Sequence, residues 1–137
     1  LPTWAVSEEG TSKHYPVEER PESSSVLRGH LSTHLGRQGM QPRSGPIWTT
    51  DAPYRETRDQ VENYGGQGVL GVDMEFSALC TVASFRRVEM AAVMLVSDEL
   101  CHPEWKPGFR TKVFREKSRR LIEILLESCR VAQGAGD

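Results

Sequence analysis

Val69-Leu70-Gly71-Val72-Asp73-Met74-Glu75-Phe76-Ser77-Ala78-Leu79-Cys80 changes its period halfway along. Val69 to Val72 is a short apolar run and reads as a strand. From Met74 onward Phe76, Leu79, Cys80, Ala83 and, at the margin, Phe85 recur at helical spacing. A strand therefore runs into a helix, with Asp73, Met74 and Glu75 at the junction. Further on, Val88 to Val96 (VEMAAVMLV) is apolar without alternation, which predicts an interior strand covered on both faces. Phe109 to Ala132 then predicts a long amphipathic helix. Val113, Leu121, Ile124, Leu125 and Cys129 are expected inward, and Arg115, Glu116, Lys117, Arg119 and Arg120 outward, with Gly134 and Gly136 fraying the end. Strands alternating with helices predict an α/β layer structure.

The first half fits that alternation. Leu1 to Ser7 reads as a strand, Glu8 to Ser12 as its turn, and residues 13–25 as a long polar loop with Pro16 and Pro21. Ser24 or Ser25 is placed to cap a helix carrying Leu27, Leu31, His34 and Leu35, ended by Gly36 or Gly39. Arg43 to Thr50 reads as a strand. Thr50 to Tyr54 is a loop, because Pro53 forbids simple continuation. Arg58 to Tyr64 reads as a short polar helix stopped by Gly65 and Gly66.

The chain has 137 residues, 37% hydrophobic and 26% charged, which allows one domain at most with a real core. Lys plus Arg number 17 against 19 Asp plus Glu, a net charge of −2. That balance argues against a protein that grips nucleic acid through its phosphates. No apolar run approaches the ~18 residues that span a bilayer, and with no charged n-region followed by an apolar h-region no signal peptide is expected. Cys80, Cys101 and Cys129 are odd in number with no CxxC spacing, so reduced thiols in a cytoplasmic protein are expected. Residue 1 is Leu, which fits a processed or partial chain.

In α/β sheets ligands bind beyond the carboxyl ends of the strands. That rule selects Asp73-Met74-Glu75 and Ser97-Asp98-Glu99, two acidic clusters expected to share a cleft. Carboxylates suit a polyhydroxyl ligand, since their oxygens accept from sugar hydroxyls. The alternative for Asp73 and Glu75 is capping of the helix that follows, and for Asp98 capping of a turn. Arg28, Arg37 and Arg43 read as solvated surface. Of His14, His30, His34 and His102, His30 and His34 stand four apart on a helix, but no acidic or cysteine partner follows at a plausible spacing, so no metal is expected. Trp105 to Phe109 (WKPGF) reads either as a flap or as a plain connector.

Four segments carry a resemblance. They are Glu9-Gly10-Thr11-Ser12-Lys13-His14-Tyr15, Trp48-Thr49-Thr50-Asp51-Ala52-Pro53-Tyr54-Arg55-Glu56-Thr57, Gly71 to Leu79, and Val96-Ser97-Asp98-Glu99-Leu100. In this order and spacing they resemble the nucleoside phosphorylase superfamily, in the branch of hexameric purine nucleoside phosphorylase and uridine phosphorylase. The resemblance runs from Pro2 to about Cys129. It implies a three-layer α/β/α fold with a mixed central sheet, of which residues 1–137 are the C-terminal portion of a single domain.

The resemblance also implies a reaction. Phosphate attacks the anomeric carbon of a nucleoside, releasing the base and ribose 1-phosphate through an oxocarbenium-like transition state. Glu75 would accept from the ribose 2′ and 3′ hydroxyls and Met74 would pack under the sugar. Asp73 stands where relatives often carry Glu, one methylene longer. Asp98 matches the acid of the purine branch, which protonates the imidazole nitrogen of the leaving purine. Pro53 and Tyr54 match the segment whose aromatic residue stacks on the base, with Pro53 standing where many relatives have Phe. Arg110 is the nearest candidate for an arginine that assists the acid, offset by about a residue. Arg55-Glu56-Thr57-Arg58 does not match the pyrimidine-reading Gln and Arg of uridine phosphorylases.

Nucleoside and phosphate are the implied partners, with no cofactor, no nucleic acid and no membrane. A homo-oligomer, of dimers or a trimer of dimers, is implied for the complete protein. The family's glycine-rich phosphate loop, phosphate-binding arginines and the His lent by a neighbouring subunit have no counterpart here. The chain is therefore expected to be the phosphate-loop-lacking portion and inactive alone. A non-catalytic nucleoside-binding remnant and a nucleosidase that uses water are the alternatives.

Overall fold

A computed structural model describes residues 1–102 and 104–134. Gly136, expected to fray the last helix, lies outside the described residues. The chain divides into two compact units, Leu1–Arg28 with Arg43–Met94, and Gly29–Pro42 with Leu95–Asp137.

The first unit is built on a parallel sheet. β1 (Pro2–Glu8) pairs with β2 (Gly45–Thr50), which pairs with β3 (Val72–Asp73), in spatial order β1-β2-β3. Two helices belong wholly to this unit, α2 (Arg58–Gly66) and α3 (Phe76–Arg86). Thr57 and Gln60 close a reciprocal capping box at the start of α2. α3 ends where Arg87 takes a left-handed conformation, φ 56°. Ala5, Ile47, Phe76 and Cys80 form the core, with Met90 and Ala92 packed against it. Phe76 is 1% exposed, a burial worth about 1.5–3 kcal/mol.

Three expectations are corrected in this unit. The strand expected at Val69–Val72 is limited to Val72–Asp73. The α3 stripe excludes Leu79 and Phe85, which are half exposed, and instead buries Ser77 and Thr81. Those two hydroxyls go inward because polar partners wait there, as described below. Val88–Val96 forms no strand. Its Met90 and Ala92 still face the core two residues apart, so the extended period survives. A strand also needs a ladder. The backbone bonds found here among the described residues are Ser24 N–H to Met90 O at 2.7 Å and Val88 N–H to Ala83 O at 3.0 Å, the second closing the end of α3, and neither belongs to a ladder.

α1 (Ser25–Arg37) crosses from the first unit to the second. Ser24 Oγ accepts from Leu27 N–H at 3.2 Å and so caps it. Leu35 is buried, as the helical stripe anticipates. Arg28 is not merely solvated: its guanidinium donates to Ser23 O and Oγ at 2.9 and 2.7 Å.

The second unit holds an antiparallel ribbon, β4 (Asp98–Glu99) with β5 (Lys106–Pro107), and α4 (Lys112–Gly134). α4 starts later than Phe109 because Thr111 Oγ1 accepts from Phe114 N–H at 3.1 Å and caps the helix there. Its inward stripe is Phe114, Ser118, Leu121, Ile124 and Leu125, with Ile124 fully buried. Val113 and Cys129, expected inward, are exposed. Phe114 stands seven residues, two turns, before Leu121 and so shares its face, whereas Val113 lies at the margin of that face.

Candidate functional site at the strand ends

β1, β2 and β3 are parallel, so their carboxyl ends open on one edge of the sheet. The segments leaving them are Glu9–Ser12, Asp51–Arg55 and Met74–Glu75. Gly10 N–H donates to Asp51 Oδ2 at 2.9 Å, tying the first segment to the second.

Asp73 holds the third segment in place. Its Oδ1 accepts from Thr49 Oγ1 at 2.6 Å, and its Oδ2 accepts from Phe76 N–H at 2.7 Å and Glu75 N–H at 3.2 Å. Thr49 Oγ1 in turn accepts from Ser77 N–H at 3.1 Å. Asp73 thus satisfies free donors of the first turn of α3, the capping alternative raised by its position. Glu75 differs. Its carboxylate is exposed and has no hydrogen bond or ion pair among the described residues, and Met74 beside it is 44% exposed. Pro53 and Tyr54 lie in a 3-10 turn after β2, with Tyr54 fully exposed.

Two further carboxylates organise this edge, and the sequence reading gave neither a role. Glu9 accepts from Thr11 N–H at 2.6 Å, Ser12 N–H at 3.1 Å, Ser7 Oγ at 3.0 Å, Ser77 Oγ at 2.8 Å and Ser12 Oγ. Ser12 and Thr81 hydroxyls meet at 2.9 Å. Glu9 therefore stitches the β1 loop onto the buried hydroxyl face of α3. Burial works to raise its carboxyl, but the hydrogen bonds from Ser12, Ser77 and Ser7 outweigh that and bring it down to about 2. Glu8 accepts from Trp48 Nε1 at 2.7 Å and Tyr64 hydroxyl at 2.5 Å, while the two rings lie 5.0 Å apart. That bond to Glu8, with burial, pushes the Tyr64 phenol up to about 12. Burial, with the charges of Asp73 and Glu22, pushes the Cys80 thiol to about 12, so it is an inert core group. The signal for Glu9 was present, a carboxylate inside a Ser/Thr-rich turn just past a strand. Its partner on α3, Ser77, lies 68 residues away.

Asp98 belongs to the second unit. Its Oδ1 accepts from Ser97 Oγ and its Oδ2 from Trp105 Nε1 at 2.8 Å. Gly108 N–H donates to Ser97 O at 2.7 Å, and a Cβ on Gly108 would lie 2.8 Å from that oxygen. The WKPGF segment is therefore bound to the Ser97–Glu99 strand rather than free of it. Arg110 lies over the Phe109 ring at 5.7 Å and makes no ion pair among the described residues.

The fold and this edge define an α/β protein with carboxylates displayed at the ends of parallel strands. Residues 1–130 match the family model described as Phosphorylase superfamily, and the chain belongs to that superfamily. It is 38% identical over 92 residues to a DeoD-type purine nucleoside phosphorylase of Bacillus cytotoxicus, covering 66% of this chain and 37% of the relative. The corresponding protein of Bacillus thuringiensis is 41% identical over 92 residues, with the same coverage. The chain thus spans little more than a third of the length of these curated relatives.

Among solved structures, AMP nucleosidase from Bacteroides thetaiotaomicron is similar, with a TM-score of 0.75 and 25% identity. The match covers 98% of this chain and 55% of that one. Uridine phosphorylase from Vibrio fischeri gives a TM-score of 0.57 and 33% identity over 63% of this chain and 37% of that one. The P knowlesi homolog of P falciparum PNP shares the fold, with a TM-score of 0.75 and 20% identity over 96% of this chain and 53% of that one. The expected phosphorylase-like α/β fold holds. Its sheet here is the parallel β1-β2-β3, with antiparallel pairing in β4–β5. No helix among the described residues is long and apolar enough to cross a membrane.

Proposed function

We propose that residues 1–137 are the C-terminal portion of a single nucleoside phosphorylase domain. The complete protein would cleave the N-glycosidic bond of a nucleoside with phosphate, giving the free base and ribose 1-phosphate. The observation that carries this reading is the contrast at the start of α3. Asp73 is consumed by Thr49 and two backbone N–H groups, while Glu75, two residues on, presents a carboxylate unpaired among the described residues. A fixed turn that displays a free carboxylate is suited to two adjacent sugar hydroxyls. As the sugar gains positive charge, that carboxylate and the Met74 thioether favour the transition state over the neutral ground state.

In this reading Asp73 keeps a substrate-side role by fixing the turn, and Pro53 and Tyr54 flank the base. Asp98, oriented by Ser97 and Trp105, passes a proton to the departing purine. Similarity to DeoD-type purine nucleoside phosphorylases supports a purine substrate. The protein works without a cofactor, as a cytoplasmic homo-oligomer, with phosphate as co-substrate. The 137 residues alone are inactive, because an attacking phosphate needs several fixed donors to hold it against the anomeric carbon.

The likeness to an AMP nucleosidase supports a second reading, hydrolysis by water. The complete protein is incubated with inosine and with uridine, with and without phosphate, and the sugar product is identified. Ribose 1-phosphate formed only with phosphate supports phosphorolysis. Free ribose at equal rates in both conditions sinks it in favour of the nucleosidase.

A further inference from the structure

We propose that Glu99, Cys101 and His102 form a three-ligand site for a borderline-soft divalent ion, zinc first among them. The carboxylate, thiol and imidazole donor atoms all lie within 4.8 Å of one another where β4 ends. His102 Nε2 and Glu99 Oε2 are 2.6 Å apart, within hydrogen-bond distance. Cys101 is a free, exposed thiol. Residues 100–102 are bent rather than extended, so neighbouring Cys101 and His102 escape the strand rule that sends them to opposite faces.

A tetrahedral ion with bonds of about 2.0–2.3 Å holds its ligands about 3.3–3.8 Å apart. Seating one here replaces that hydrogen bond, parts Nε2 from Oε2 by about 0.7 Å or a little more, and draws the thiolate inward by side-chain rotation. Glu99 and Cys101 are exposed and His102 half-buried, so no core packing resists those moves.

The donor set chooses the ion. Calcium and magnesium take oxygen, whereas imidazole with thiolate suits zinc. A His–Glu pair three residues apart is by itself an ordinary surface contact of little energy. The thiol as third donor distinguishes this turn. Three protein ligands leave the fourth position to water. In this turn His102 has the acidic and cysteine neighbours that spacing along the sequence did not credit to it. The site adjoins Asp98 in sequence and lies on the segment that leads to Trp105, the indole donor to Asp98. It stands independently of the proposed reaction.

The purified chain, kept reduced, is titrated with zinc against a chromophoric chelator, and cobalt is then used as a spectroscopic stand-in. One ion per chain and a thiolate-to-cobalt charge-transfer band are expected. Cys101→Ser and His102→Gln each weaken zinc binding ~10²-fold or more, with Glu99→Gln as a further exposed variant. Cys129→Ser and His30→Gln leave it unchanged, and circular dichroism reports that each variant is folded. Absence of binding, a cobalt spectrum without the thiolate band, or binding that survives both Cys101→Ser and His102→Gln overturns the site.

Discussion

Replacing Glu9 by Gln keeps the shape of the side chain and removes its charge. Glu9 Oε1 faces three hydroxyls, Ser7, Ser12 and Ser77, and Oε2 faces the N–H groups of Thr11 and Ser12. An amide must keep its oxygen on the two backbone donors and turn its NH2 to the hydroxyls, which rotate to accept. Contacts are kept, but charge assistance is lost. The carboxyl falls from the ordinary 4.5 to about 2 on folding. At 1.36 kcal/mol per pH unit that corresponds to roughly 3 kcal/mol before screening. Glu9 lies near the surface, so solvent screening leaves about 1–2 kcal/mol.

The native state holds this carboxyl ionised more readily than the unfolded chain does, so unfolding takes up a proton at low pH. The stabilisation is therefore complete above pH 4.5 and is lost as pH falls from 4.5 towards 2. Thermal or urea unfolding of wild type and Glu9→Gln is compared at pH 7 and pH 3. Wild type is expected to lead by about 1–2 kcal/mol at pH 7, and by clearly less at pH 3. Equal stabilities at pH 7, or a gap that does not narrow, would refute the assignment of the low carboxyl to this hydrogen-bonded turn.

Three further outcomes are expected. Glu75→Gln in the complete enzyme lowers kcat/KM ~10²-fold or more, since a charge-assisted contact made in the transition state is lost. Wild-type activity in that variant would leave Glu75 no part in sugar binding. Asp98→Asn slows ordinary purine nucleosides ~10²–10⁴-fold but 7-methylated ones far less, because their base leaves already charged. Equal losses on both substrates would make Asp98 a positioning residue. The 137-residue chain on its own associates in gel filtration, because Val88–Val96 carries apolar side chains and a backbone largely without ladder partners. A stable monomer would argue against an exposed edge there.

The order of elements was legible from period and punctuation. Pro53, the glycines after Tyr64 and the switch at Asp73 all act within a few residues, and local sterics do not wait for tertiary context. The end of β3 at Asp73, with Met74 and Glu75 just beyond it, was legible too, because it needs only the direction of the chain. What period alone misjudged was the inward face. On α4, Phe114 rather than Val113 shares the more buried face with Leu121 and Ile124, and on α3 Ser77 and Thr81 take the place expected for Leu79.

Tertiary structure alone decided which carboxylates are spent and which are free. Asp73 and Glu75 are alike in sequence, yet Thr49, 24 residues away, occupies one and not the other. Glu9 gained its role from Ser77 on a distant helix, where Thr81 also meets Ser12 of the same turn, and no local pattern pairs them. Composition and period set the order of helices and strands, since those forces are short in sequence or non-directional. Hydrogen bonds between side chains are directional and join residues that only the folded chain brings within 3 Å.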